Sequence, residues 1–406
     1  MDDAERAQPP ADHPDERGWM VWDSALVKYD FGPLHPMNPL RLQFTHDLAE
    51  ELGVLQGLHV VPPVMATDEE LQTVHHAEYV EHVRQVSADP ASADGALGIG
   101  DEDSPAFAHM HEASALAAGG SLVLADAIMD GRTRRGVNIA GGLHHAMPGR
   151  AAGFCIYNDG ALAIQRMLDR GAEKVVYVDL DVHHGDGVEA AFWSDPRVVT
   201  VSVHETGRVL FPGTGFPGDV GGPDAVGSAV NLALPPGTGD AAWLRAVHAI
   251  VPPLVHAIEP TVLVTQHGCD GHAKDPLAHL GLSVEAQVAA MGSMRELAGS
   301  VTEGRWLALG GGGYSIADVV PRSWSALLAV VAGNELDLSL DTPDGWRARV
   351  EEITGEFPAT LGDSGGDWPW WRSWETGYDP ESAVDQAVMA AREATFPHHG
   401  LDPWFD

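Results

Sequence analysis

KVVYVDLDVHHGDGVE, residues 174–189, decides the fold of this chain. Its first half is an apolar, β-branched run without polar alternation, as in a parallel strand covered on both faces. Its second half changes abruptly to Asp, His and Gly, and in open α/β sheets ligands bind just past the carboxyl ends of the strands. The pattern repeats on both sides. VNIA (137–140), RVVTVSV (197–203), TVLVTQ (261–266) and RWLALG (305–310) read as further buried strands. Stretches 113–129, 159–169, 241–257 and 284–297 read as helices between them. Strands alternating with helices predict an α/β fold with a mainly parallel central sheet. Unusual segments follow the other strands: GGLHHAMPGRAAGF (141–154), HETGRVLFPGTG (204–215), QHGCDGHAKDP (266–276) and GGGGY (310–314). The sequence shows no internal repeat and no linker to a second domain.

Charge and length narrow the function classes. The 406 residues include 23 Lys and Arg against 59 Asp and Glu, a net charge of −36, and the only lysines are Lys28, Lys174 and Lys274. Binding to nucleic acid or an anionic membrane through a general basic surface is excluded, because both depend on cations that neutralise phosphates. The plain reading of the acidity is solvation; the sharper one is attraction of a basic, lysine-bearing partner. A chain of this length buries roughly three-quarters of its unfolded surface and needs no disulfides. Two cysteines, Cys155 and Cys269, make no disulfide framework and fit a reducing cytoplasm. Residues 1–18 are polar, acidic and without an apolar core, so they read as a disordered tail and not a signal peptide. No unbroken apolar run approaches the roughly 18 residues that span a bilayer. The expected location is the cytoplasm. Residues 363–406, with WPWW at 368–371, are expected to pack back on the domain.

Three clusters carry chemistry. Residues two apart on a strand share a side, so Asp179, Asp181 and His183 begin on one face. Asp270 follows another strand, where a sheet would bring it near Asp181. Asp181, His183 and Asp270 offer one nitrogen and two carboxylates, which balance a divalent cation and leave coordination positions open, as catalytic sites do. Zn²⁺ suits this set, with Fe²⁺, Co²⁺ and Mn²⁺ compatible by ligand type. A buried Asp–His hydrogen-bond network is the alternative. His144 and His145 follow a glycine turn, and Asp179 and Asp186 are natural partners to fix their tautomers; the alternative is a surface loop. Four glycines, 310–313, let backbone approach a site, and Tyr314 can donate to an oxyanion there; the alternative is a core tyrosine after a strand-to-helix loop. The run lacks the GK[ST] ending of a phosphate-binding loop.

GGLHHA, GFCIYND, YVDLDVHHGDGVE, VSVHETGRVLFPGTG, QHGCDGHAKDP and LGGGGY stand in this order between residues 141 and 314. Together they closely resemble the histone deacetylase family of zinc-dependent deacetylases, over about 19–324. Segments 28–42 and 377–403 resemble its bacterial acetoin-utilization branch. The resemblance implies a single-domain arginase/deacetylase-like fold: an eight-stranded parallel sheet flanked by helices, with the active site at the carboxyl ends of the strands. It divides the chain into the 1–18 tail, a catalytic domain at 19–350 and an extension at 351–406 that packs on it.

The resemblance also implies roles. Asp181, His183 and Asp270 hold Zn²⁺, with Fe²⁺ an alternative. His145, backed by Asp186, is the general base, and His144, paired with Asp179, stays cationic. Tyr314 binds the amide oxygen. Gly153, Phe154 and Phe211 line a narrow tunnel with Leu277 at its rim; Phe154 and Phe211 read equally as core packing without the family motif. Asp103, in GDEDSP, holds the substrate's backbone amides, and Arg41, in NPLRLQF, lines an internal cavity beside the metal. Asp179 and Ser202 also bind a monovalent cation, usually K⁺. Cys155 reads as a plain buried cysteine, the alternative being a redox-sensitive thiol. HGCDGH departs from the family's commoner GAD form, and SVHETGRVLF lacks the more aromatic loop of eukaryotic members at the tunnel rim. The implied activity is hydrolysis of N6-acetyl-lysine in proteins, with acetyl-CoA synthetase as a substrate. The rivals are an acetylpolyamine or other small-amide hydrolase, and a catalytically silent module that binds acetyl-lysine.

Overall fold

A computed structural model describes residues 17–406. Its eight strands are β1 (Gly18–Val21), β2 (Leu58–Val61), β3 (Arg135–Asn138), β4 (Val175–Asp179), β5 (Val198–Glu205), β6 (Ala229–Leu234), β7 (Val262–Gln266) and β8 (Trp306–Leu309). They form one sheet in the order β2-β1-β3-β8-β7-β4-β5-β6, and every neighbouring pair is parallel. The five strands read from the sequence are β3, β4, β5, β7 and β8. Every residue of β4, β5, β7 and β8 is buried, which is why they show apolar runs instead of alternation. The disordered-tail expectation falls on 1–16, outside the described residues, except that Gly18, placed in that tail, opens β1.

Helices cover both faces. Helix Asp159–Asp169 matches its predicted bounds, because Asn158 caps it by accepting from the Ala161 backbone N–H at 2.9 Å. Helix Val284–Val301 runs four residues further than predicted, and helix Met110–Met129 begins three residues earlier. Helices Met110–Met129 and Asp240–Ile258 are long and apolar enough, by averaged hydropathy, to cross a membrane, although polar residues break their apolar runs. Both lie against the sheet, with 78% and 61% of their apolar windows buried.

Residues 351–406 return to the domain. Asp385, on helix Ala383–Thr395, receives a two-point ion pair from buried Arg245 at 2.9 and 2.7 Å, and Arg392 donates to the Ala249 carbonyl at 2.7 Å. In the WPWW stretch Trp371 stacks on His248 at 4.7 Å, whereas Trp368 and Trp370 remain exposed. The segments that follow β3, β4, β5, β7 and β8 therefore gather at one edge of the sheet.

Candidate active site

β4 and β7 are hydrogen-bonded neighbours with Asp179 opposite Gln266. Asp181 and His183 lie two and four residues past the end of β4, and Asp270 lies four past the end of β7. All three are buried, and their ligand atoms lie within 4.8 Å of one another. His183 Nδ1 is 3.1 Å from Asp181 Oδ1 and 3.0 Å from Asp270 Oδ2. The outer oxygens are fixed by protein donors. Asp181 Oδ2 accepts from Gln266 Nε2 at 2.7 Å and from the Gly312 N–H at 2.8 Å, and Asp270 Oδ1 accepts from the Val182 N–H at 3.0 Å.

Glycine is required around this cluster. A Cβ on Gly268 would lie 2.0 Å from Asp181 Oδ2, and one on Gly312 would lie 2.0 Å from Asp270 Oδ2. Burial works against charge on His183, yet the two carboxylates hold it up at about 10. Burial and the neighbouring Asp181 charge raise Asp270. Two carboxylates sharing one imidazole in a dry cradle fit a divalent cation in charge, donor type and geometry.

His144 and His145 sit on the turn after β3. That turn is tied down by Asp159, which accepts from the Gly142 and Leu143 N–H groups at 2.9 Å. His144 Nδ1 meets Asp179 Oδ2 at 2.8 Å, and His145 Nδ1 meets Asp186 Oδ1 at 2.7 Å. Their Nε2 atoms are 3.0 Å apart. The two rings differ in electrostatics. Burial opposes charge on His144, but Asp179 and Asp181 outweigh it and raise the ring to about 9. Burial and the adjacent cationic His144 lower His145 to about 4. At neutral pH one ring is cationic and its neighbour is a free base.

A cavity of about 200 Å³ leads to this pair and is lined by Asp103, His145, Gly153, Phe154, Phe211, Leu277 and Tyr314, among others. The Phe211 ring stands edge-on to His145 at 4.9 Å, and Phe154 edge-on to Tyr314 at 5.7 Å. Burial and the Asp270 and Asp181 charges push the Tyr314 phenol well above its usual value, so it remains a proton donor.

Two predicted residues, Arg41 for an internal cavity and Ser202 for a monovalent cation, lie outside this tunnel. Arg41 is buried and does not line this cavity; it donates to the Gly311 and Gly313 carbonyls at 2.8 and 3.1 Å and lies over the Trp324 ring at 5.0 Å. It shapes the glycine run that carries Tyr314. Ser202 is the register partner of Asp179 across β4 and β5, and its hydroxyl pairs with His204 Nδ1 at 2.9 Å. Cys155 is buried and burial pushes its thiol far up, which removes its nucleophilic form.

Sequence reasoning missed several supports. Tyr177 donates to Asp179 Oδ2 at 2.8 Å, and its position two residues before Asp179 on β4 was a legible signal. Asp275 accepts from the Tyr314 N–H at 2.8 Å and the Leu277 N–H at 3.0 Å, so one carboxylate fixes both the tyrosine and the rim. Gln266 orients Asp181. Nothing local in the sequence marks Asp275 or Gln266.

Comparison with known proteins agrees with this geometry. A family model described as the histone deacetylase domain matches residues 35–331. The acetoin utilization protein AcuC of Bacillus subtilis (strain 168) is 38% identical over 349 residues, covering 86% of this chain and 89% of that protein. AcuC of Staphylococcus aureus (strain MSSA476) is 41% identical over 338 residues, covering 82% and 87%. AcuC of Staphylococcus xylosus is 38% identical over 317 residues, covering 78% and 82%.

Proposed function

This chain belongs to the histone deacetylase family and is a hydrolytic deacetylase, and from that premise we propose that it removes acetyl groups from N6-acetyl-lysine in proteins, yielding lysine and acetate. The observation that carries the proposal is the His144–His145 pair, its Nε2 atoms 3.0 Å apart and each ring bonded to its own carboxylate, at the end of a tunnel beside the Asp181–His183–Asp270 cradle.

Asp181, His183 and Asp270 would hold the cation, for which Zn²⁺ is the proposed species and Fe²⁺ the alternative. When bound, such an ion polarises the acetyl carbonyl and acidifies water. The chain's own groups do the rest. His145, oriented by Asp186, takes the proton from the attacking water, help worth about 10²–10⁴-fold. Tyr314 donates to the carbonyl oxygen as charge develops, and one such donor is worth roughly 3–4 kcal/mol. His144, kept cationic by Asp179, stabilises the same charge. As the C–N bond breaks, the proton held by the pair passes to the departing lysine nitrogen. Phe154 and Phe211 enclose the aliphatic stem and exclude water, at about 0.8 kcal/mol per buried CH₂.

The relatives' names place them in acetoin utilization, and acetyl-CoA synthetase, in the cytoplasm, is the substrate this reading carries over. The two free buried cysteines suit that compartment. A K⁺ ion beside Asp179 and Ser202 belongs to the same reading. The test is acetate release from an acetyl-lysine peptide by the Zn²⁺-loaded enzyme. Tyr314→Phe and His145→Ala should each lower the rate at least tenfold, and chelation should abolish it. If neither substitution reaches tenfold, the assigned mechanism is wrong.

A further inference from the structure

Beside the tunnel mouth lies a second, wider cleft of about 560 Å³, which shares Asp103, Gly153 and Phe211 with the tunnel. Its walls are acidic. Asp101, Asp103 and Glu189 line it, against the single guanidinium of Arg150. Two of these carboxylates are held in place. Asp101 Oδ1 accepts from the Ser104 N–H at 2.8 Å. Glu189 Oε2 is gripped by His184 at 3.2 Å and Asn231 at 2.7 Å, while no described residue bonds its Oε1. Burial and the Asp101 charge raise the Asp103 carboxyl, a sign of crowding that a cation relieves.

An independent observation points to a ligand. Ser104 lines the same cleft with its side chain fully buried, and its hydroxyl has no hydrogen-bond partner among the described residues. An orphaned hydroxyl of this kind costs free energy unless something entering the cleft bonds to it. Trp193, also on the wall, offers an apolar face of the kind that receives the stem and head of a long cationic side chain.

We infer that this cleft is a second substrate subsite, which takes the arginine or lysine side chain of a residue flanking the acetyl-lysine. The inference rests on the deacetylase reading above and names the substrate class of that site. With acetyl-lysine in the tunnel, the shared rim at Asp103, Gly153 and Phe211 places the flanking residue over the cleft. Its cationic head then donates to Asp101, Glu189 and the Ser104 hydroxyl.

The experiment compares kcat/KM at low salt for acetyl-lysine peptides that differ only in carrying Arg, Gln or Glu at the flanking positions. The Arg peptide should exceed the Gln peptide by about tenfold in the wild type, mainly through KM. Asp101→Asn and Glu189→Gln should each shrink that ratio. Arg150→Gln, which removes the opposing charge, should enlarge it, a gain that damaged folding does not mimic. A wild-type ratio near one, or a ratio unmoved by all three substitutions, overturns the subsite. Faster turnover of acetylspermidine than of the Arg peptide overturns the peptide assignment. If no acetyl-lysine peptide is hydrolysed, the deacetylase reading itself fails, which is a separate result.

Discussion

At the scale of single residues the site depends on where a Cβ is forbidden. Gly153 has φ +49°, and a Cβ there would lie 2.4 Å from His145 Cδ2 and 2.9 Å from Phe211 Cε1. His145 cannot yield without loosening its 2.7 Å bond to Asp186. Gly153→Ala should therefore cut kcat/KM by at least tenfold by displacing the base and narrowing the tunnel. Gly355, with φ +80° at the end of helix Asp344–Thr354, has no atom within 4 Å of its Cβ position. Gly355→Ala should cost about 1 kcal/mol of stability through the left-handed backbone and leave activity unchanged. Steady-state kinetics and urea unfolding of both variants check this; equal activity losses would refute it. The same scale shows what was legible in the sequence. Asp179, Asp181 and His183 could be read because strand alternation is local. Asp275 could not, since it acts on Tyr314 from 39 positions away, a relation only the assembled sheet creates.

At the scale of elements, a strand is most legible where apolar, mainly β-branched residues run unbroken, as in β4. β4 reads as VVYVD, wholly buried, whereas β1 is GWMV with no β-branched residue but its last, and β6 carries Asn231 in its middle. The return of the extension was hinted at by its tryptophans, but its anchors are charged. Asp363 accepts from His272 at 2.8 Å, from Arg322 at 3.0 Å and from the Val284 N–H at 2.9 Å. It thereby ties the extension to helix Val284–Val301 and to the loop two residues beyond Asp270. Burial opposes charge at Asp363, but His272 and Arg322 outweigh it and hold the carboxyl well below the usual carboxylate range. Because the folded value lies below the unfolded value of about 3.9, the carboxylate's contribution is complete above that value. It is lost as pH falls toward the folded value. Asp363→Asn should cost about 1–2 kcal/mol at pH 7, allowing for the side chain's 24% exposure. The gap from wild type should begin to narrow as pH falls below about 4 and be smaller at pH 3 than at pH 5. Urea unfolding at pH 7, 5 and 3 measures it, and a gap that persists or widens in acid contradicts the assignment.

At the scale of the whole molecule, 59 carboxylates face 23 Lys and Arg, a surplus of 36 negative charges. Two salt effects then compete. Screening weakens ion pairs, but strong ones such as Arg245–Asp385, 6% and 3% exposed, are shielded from it by burial. Screening also relieves repulsion among the surplus surface carboxylates, which opposes the compact state. The surplus makes the second effect the larger. Raising NaCl from about 10 mM, where the Debye length is about 30 Å, to 0.1 M, where it is about 10 Å, should raise the melting temperature by about 2 °C or more. The same change should lower kcat/KM for a peptide with a cationic flank, because it weakens the attraction that draws that flank to the acidic cleft. Opposite signs in the two measurements separate the global field from any general loss of structure. Calorimetry and peptide kinetics in matched buffers make the comparison, and a melting temperature that is flat or falls with salt would show that the net charge does not govern stability.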